Sequence, residues 1–200
     1  MSYKEFDWAK VKAEFALTTV EGGRFLPETA PIVPSPVLTA SLERGIPWAV
    51  ATGNEKARSE GIITPLLLEV REILQHQVSL FSGEEFNVDA TIGLNGYCDF
   101  LISRSPEQLA IEAPVIILIE AKQENLKLGL GQCAATMVAA QQFNRTQQQP
   151  ISTLYGGVST GTTWRFLKLE AQTLTLDLTD YPLPPIDPIL GMLVWMAQQG

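Results

Sequence analysis

The chain is poor in the side chains that build metal-sulfur and disulfide scaffolds. It has one histidine, His76, and two cysteines, Cys98 and Cys133, in 200 residues. That excludes a zinc module and a disulfide framework, and it predicts two buried, reduced thiols. His76 falls near a helix end, where a dipole partner is expected and not a general base. Positive charge is scarce too: 14 Lys and Arg against 22 Asp and Glu give a net charge of -8 and a pI near 4.7. That balance counts against a stand-alone DNA-binding module. It does not exclude a site that needs carboxylates. There is no long apolar run: Ile189 to Ala197 is too short to span a bilayer. Met1 to Lys12 carries Lys4, Glu5, Asp7 and Lys10, unlike a signal peptide. These absences predict a cytoplasmic protein with no membrane partner.

What is present suits one folded domain with extensions, since 46% of residues are apolar and 18% charged. Tyr3 to Leu17 has helical spacing. Glu21 to Pro36, with Gly22-Gly23 and four prolines, reads as an irregular arm. Val37 to Arg44 is predicted to be a short helix stopped at Gly45. Asn54 or Thr52 caps a long helix in which Ile62, Ile63, Leu66, Leu67, Val70, Ile73 and Leu74 recur at helical spacing to about His76, with an irregularity at Pro65. Phe86 to Ile92 alternates as a strand. Tyr97 to Ser103 and Val115 to Lys122 are two more, the latter opening on Val-Ile-Ile-Leu-Ile, as expected of a strand buried on both faces. Gly129 to Phe143 is an alanine-rich helix. Ile151 to Ser159, Thr163 to Leu169 and Thr173 to Leu178 are strands, and Ile189 to Gln198 closes with a helix. The predicted class is α/β: a central mixed β-sheet flanked by helices, in the order helix, three strands, helix, two to three strands. Residues 1–53 are expected to pack on a core of 54–180, with a terminal helix in 181–200.

Period-two geometry then picks out a site. Glu120 and Lys122 share one face of their strand and Ala121 takes the other. A carboxylate and an ammonium that directly follow five apolar residues sit at the end of a buried strand, where α/β sites cluster. Asp99 lies on the preceding strand, and the eleven residues from Arg104 to Pro114 allow the two strands to pair. Asp99 then reaches Glu120. Two adjacent carboxylates repel, and a hard cation such as Mg²⁺ removes that repulsion while keeping water for a phosphate. Lys122 adds a point charge for the water or the phosphate.

Gly96-Tyr97-Cys98-Asp99-Phe100, followed by Ile119-Glu120-Ala121-Lys122 with twenty residues between Asp99 and Glu120, resembles the motif of the PD-(D/E)XK nucleases. The likeness is to the nuclease domain of type I restriction motor subunits and their stand-alone relatives. Asn54 to Arg58 with Ile62 to Leu67 is similar to the family's first helix, whose glutamate faces the site. Gly131-Gln132-Cys133 is similar to its glutamine-bearing helix, and Gly161 to Phe166 to the following turn and strand. The chain departs at Cys98, where the motif has proline, and at Thr136, where the restriction subunits tend to carry tyrosine.

The resemblance implies a restriction-endonuclease-like fold and a Mg²⁺- or Mn²⁺-dependent endonuclease acting on DNA. Asp99, Glu120 and the Ala121 carbonyl would bind metal, and Lys122, Glu55 and Gln132 would assist. On a helical wheel Glu55 projects within about 50° of the apolar centre, and Glu60 or Glu69 about 90° away, so Glu55 ranks first. Expected partners are DNA, a second copy of the chain, and a restriction-modification or motor protein. The alternative is a non-catalytic interaction or regulatory protein that keeps the same charged cluster.

Overall fold

A computed structural model describes residues 1–199. The strands are β1 (Thr18–Gly22), β2 (Ser79–Glu85), β3 (Tyr97–Ser103), β4 (Val115–Ala121), β5 (Thr153–Ser159), β6 (Thr163–Glu170), β7 (Thr173–Asp177) and β8 (Tyr181–Pro182). The helices are α1 (Trp8–Glu14), α2 (Pro36–Thr52), α3 (Glu55–Arg58), α4 (Thr64–Ile73), α5 (Lys127–Thr146) and α6 (Asp187–Gln198), with a π turn, Ser59–Ile63, between α3 and α4. Among the described residues the strands form one mixed sheet ordered β1-β7-β6-β5-β4-β3-β2, and β8 extends beside β6. β1 with β7 and β4 with β5 are parallel; the other pairs are antiparallel. The fold is α/β, an open sheet flanked by helices. No helix among the described residues is long and apolar enough to cross a membrane.

β4 explains the centre of this sheet. Every residue from Val115 to Ala121 is buried, and each such aliphatic side chain contributes about 1.5–3 kcal/mol. The side chains of β4 serve two cores. Ile117, Ile119 and Ala121 join α2, α4 and α6 on one face. Val115 and Leu118 join α1 and α5 on the other. The apolar side of α6, with Ile189, Leu190, Leu193 and Met196, is spent inside the first core.

Several expectations are corrected. The strand expected at Phe86 to Ile92 lies earlier, at Ser79–Glu85. The Phe86 and Val88 amides instead bond to Gly96 and Leu94, and Asp89 caps a 3-10 turn at Ala90–Ile92. The Tyr3 to Leu17 helix is split: a 3-10 turn precedes Asp7, whose side chain accepts from the Lys10 amide and restarts the helix as α1. An additional strand, β1, hidden by its polar composition, runs from Thr18 into the first two residues of the arm. α2 does not stop at Gly45; it runs from a Ser35 cap to Gly53 in the left-handed region.

Continuation through Gly45 has a structural reason. A Cβ there would lie 1.9 Å from the Gly61 carbonyl oxygen, so α2 crosses the π turn in backbone contact. The long helix after Asn54 is interrupted where Pro65 lacks an amide and would crowd the Gly61 carbonyl four residues back. The wider π turn accommodates both.

Candidate active site

β3 and β4 pair as Phe100 with Ile119 and Leu101 with Leu118, so Asp99 stands opposite Glu120 one step further. The Asp99 carboxylate accepts a 2.8 Å bond from the Ala121 amide, which fixes it across the strand end. Glu120 and Lys122 share the face toward α5, and Lys122 Nζ lies 2.5 Å from Glu120 Oε1. Close approach of α5 is set by Gly129: a Cβ there would meet Val158 at 2.6 Å, Lys122 Cγ at 3.1 Å and Glu120 Cγ at 3.2 Å. Lys122 is tied to the next strand as well, its amide donating to Ser159 at 2.8 Å.

Among the first-helix acids, Glu55 reaches the cluster, with Oε2 3.8 Å from Lys122 Nζ. Asn54 caps α3 by accepting from the Ala57 amide at 2.8 Å, which starts the helix beside the strand ends. Glu60 points away and pairs with Lys56 at 3.0 Å. Glu69 serves α2, accepting from the Ser35 amide and hydroxyl at 2.7 and 2.8 Å. Gln132 is buried on α5 one turn after Gly129 and forms no hydrogen bond with Asp99, Glu120 or Lys122. His76 is exposed and pairs with Glu72 at 3.0 Å, as a helix-end residue does.

Glu120 is 2% exposed. Burial, the most important cause, pushes its carboxyl well above the ordinary range. Asp99 adds repulsion and a hydrogen bond to the protonated form, and Lys122 opposes both. For Lys122, burial alone would lower the pKa, but Glu120, Glu55 and Asp99 outweigh it and raise it above the usual lysine value. The ammonium therefore stays charged at neutral pH: it is a donor and not a base. Cys98 and Cys133 are free and buried, and burial followed by the nearby Glu120 charge pushes both thiols up. They sit next to the cluster as neutral walls.

Two contributors escaped the sequence reading. Gly129 brings the helix onto the charged pair. Arg58, three residues after Glu55 on the same side of α3, donates to the Thr160 carbonyl at 2.8 Å and fastens α3 over the strand ends. The i, i+3 spacing of Glu55 and Arg58 was the available signal.

Among the described residues no three His, Cys, Asp or Glu side chains gather as a metal-ligand group. The carboxylates that meet are Asp99 and Glu120, which is the number a Mg²⁺ site bound largely through water and phosphate employs. No model of a known family matches the chain, and no curated protein matches it.

Proposed function

We propose that the chain is a Mg²⁺- or Mn²⁺-dependent phosphodiester hydrolase, an endonuclease of restriction-like type and fold that acts on DNA. The observation that carries this reading is the meeting of Asp99, Glu120, Lys122 and Glu55 from three elements at one sheet end. A buried acid beside a second acid is expensive unless something positive joins them. Lys122 offsets one charge and leaves the pair with Asp99 unresolved, and hard oxygen donors in that condition fit a divalent cation. Asp99, Glu120 and the Ala121 carbonyl would hold it. Bound there, it would supply Lewis-acid polarisation and a lowered pKa for water.

The chain's own residues divide the remaining work. Lys122 donates to the attacking water or to the phosphoryl oxygens, where charge develops. Glu55 orients that ammonium from the helix side. Asp99, pinned by the Ala121 amide, keeps the acidic pair in register. Gln132 lines the helix behind the cluster. A second copy of the chain would let both strands be cut, and a motor or modification protein would deliver the substrate.

The test is incubation of purified protein with supercoiled plasmid and Mg²⁺ or Mn²⁺ beside Lys122→Ala. Nicking by the wild type, lost in the variant and on chelation, supports the reading. A folded protein that neither nicks nor binds Mn²⁺ in calorimetry supports the second reading, a non-catalytic interaction protein. The net charge of -8 favours that alternative.

A further inference from the structure

A polar cleft of about 340 Å³ opens beside the charged cluster, lined among others by Asn125, Lys127, Thr160, Thr163, Arg165 and Asp180. Two short stretches of backbone link it to the cluster. Ser159 accepts from the Lys122 amide, and Thr160 follows it directly. Asn125 lies three residues beyond Lys122, so their Cα atoms are at most about 11 Å apart. Arg58 donates to Thr160 on the wall between the two sites, and its Nε is buried with no partner.

The lining chemistry selects a ligand. It offers one ammonium, one guanidinium, two hydroxyls and an amide beside two carboxylates, Glu124 and Asp180, and no aromatic ring. Trp164, the neighbour of Arg165, is fully buried and donates its indole N–H to Gly161, so bases have no stacking platform. Its cations and hydroxyls suit sugar and phosphate without reading sequence. The Arg165 fork is engaged through Nε and Nη2, at 2.9 and 2.6 Å, on one oxygen of Asp180. Asp180 is half exposed whereas Arg165 is only 20% exposed, so the pair is open to solvent and to an exchanging anion on the Asp180 side. A phosphate presents two oxygens to the same fork in the favoured bidentate manner. Lys127 is exposed and has no ion-pair partner among the described residues.

We propose that this cleft binds the phosphate backbone of the nucleic-acid strand next to the scissile bond, with Lys127 and Arg165 on the neighbouring phosphate and Asp180 as the acid it displaces. The proposal rests on the nuclease reading for its substrate, but its test is a binding measurement. Anisotropy of a fluorescein-labelled DNA duplex is titrated with wild type, Lys127→Ala, Arg165→Gln and Asp180→Asn at several salt concentrations, with plasmid nicking run in parallel. Lys127→Ala and Arg165→Gln should each weaken binding about fivefold and flatten the log-log salt slope by about one. Asp180→Asn should tighten binding. Circular dichroism confirms that each variant is folded, and exposed Lys127 supplies a variant with little structural risk. Equal affinity and slope in wild type and variants, or no duplex binding by the wild type, overturns the cleft assignment. Nicking decides the nuclease reading separately: binding that depends on Arg165 without nicking keeps the cleft and removes the nuclease.

Discussion

Among the described residues three carboxylates are buried, Glu69, Glu120 and Asp177, and they are buried in two different ways. Asp177 accepts from the Tyr181 hydroxyl at 2.6 Å and the Thr179 amide at 2.8 Å. Burial, then Asp177 itself, holds that hydroxyl protonated. Glu69 is served in the same manner by Ser35. Both acids meet neutral donors and lock a turn or a helix cap. Glu120 meets an ammonium and another acid. Structure alone gains nothing from a buried acid set against a second, half-buried one, whereas a site built to receive a cation and a phosphate would. The difference separates a carboxylate that ends a network from one that leaves a network open.

Lys122→Ala probes this contrast with the largest effect. Plasmid nicking should fall by about a thousandfold or more. Chemical denaturation should show a loss of about 3 kcal/mol at pH 8, because Glu120 is left uncompensated. At pH 5 the loss should be smaller, since Glu120 can take up a proton. An equal loss at both pH values would place Glu120 among the closed networks. Tyr181→Phe comes next. Removing one donor from Asp177 should cost about 1–3 kcal/mol and leave nicking by the folded protein unchanged; a fall in nicking would mean that the two regions are coupled.

A third probe uses the sign of the Glu120 shift. Its folded pKa lies above the unfolded value, so its contribution is full below the ordinary carboxylate range and is lost as pH rises through the raised value. Without metal, the Tm of Glu120→Gln relative to wild type should therefore climb between pH 4 and pH 8, by on the order of 3 °C. A flat difference would show that Lys122 neutralises the acid completely. The smallest structural effect is expected at Glu55. Glu55→Gln should change stability by less than about 0.5 kcal/mol and still slow nicking about tenfold. Glu60→Gln, the matched control in the following π turn, should change neither.

The parts of the molecule written in strong local patterns were legible. Val115 to Ile119 announced a central strand, and period two put Glu120 and Lys122 on one face opposite Ala121. Glu55 emerged from the helical wheel. What stayed hidden depends on contacts distant in sequence. β1 is a polar strand that forms because β7 offers it an edge. Phe86 to Ile92 alternates correctly yet spends its amides on its own loop. Gly45 looked like a helix stop, because nothing local reveals that Gly61 will press against it. Gln132 was assigned by resemblance, and no bond ties it to the charged groups.

The crossing of α2 over the π turn reaches beyond packing. Helix propensity alone would favour alanine at Gly45 by about 1 kcal/mol, yet a methyl group there would wedge apart two backbones. The π turn leads directly back to Arg58 and Glu55, so a wedge at Gly45 is a lever on the acid that reaches Lys122 from the helix side. Gly45 and Gly61 are thus joined in fate: any lineage that changed one would have to re-seat the other. An engineer who trimmed the chain to begin at Asn54 would keep every charged residue of the cluster and discard the brace that aims Glu55.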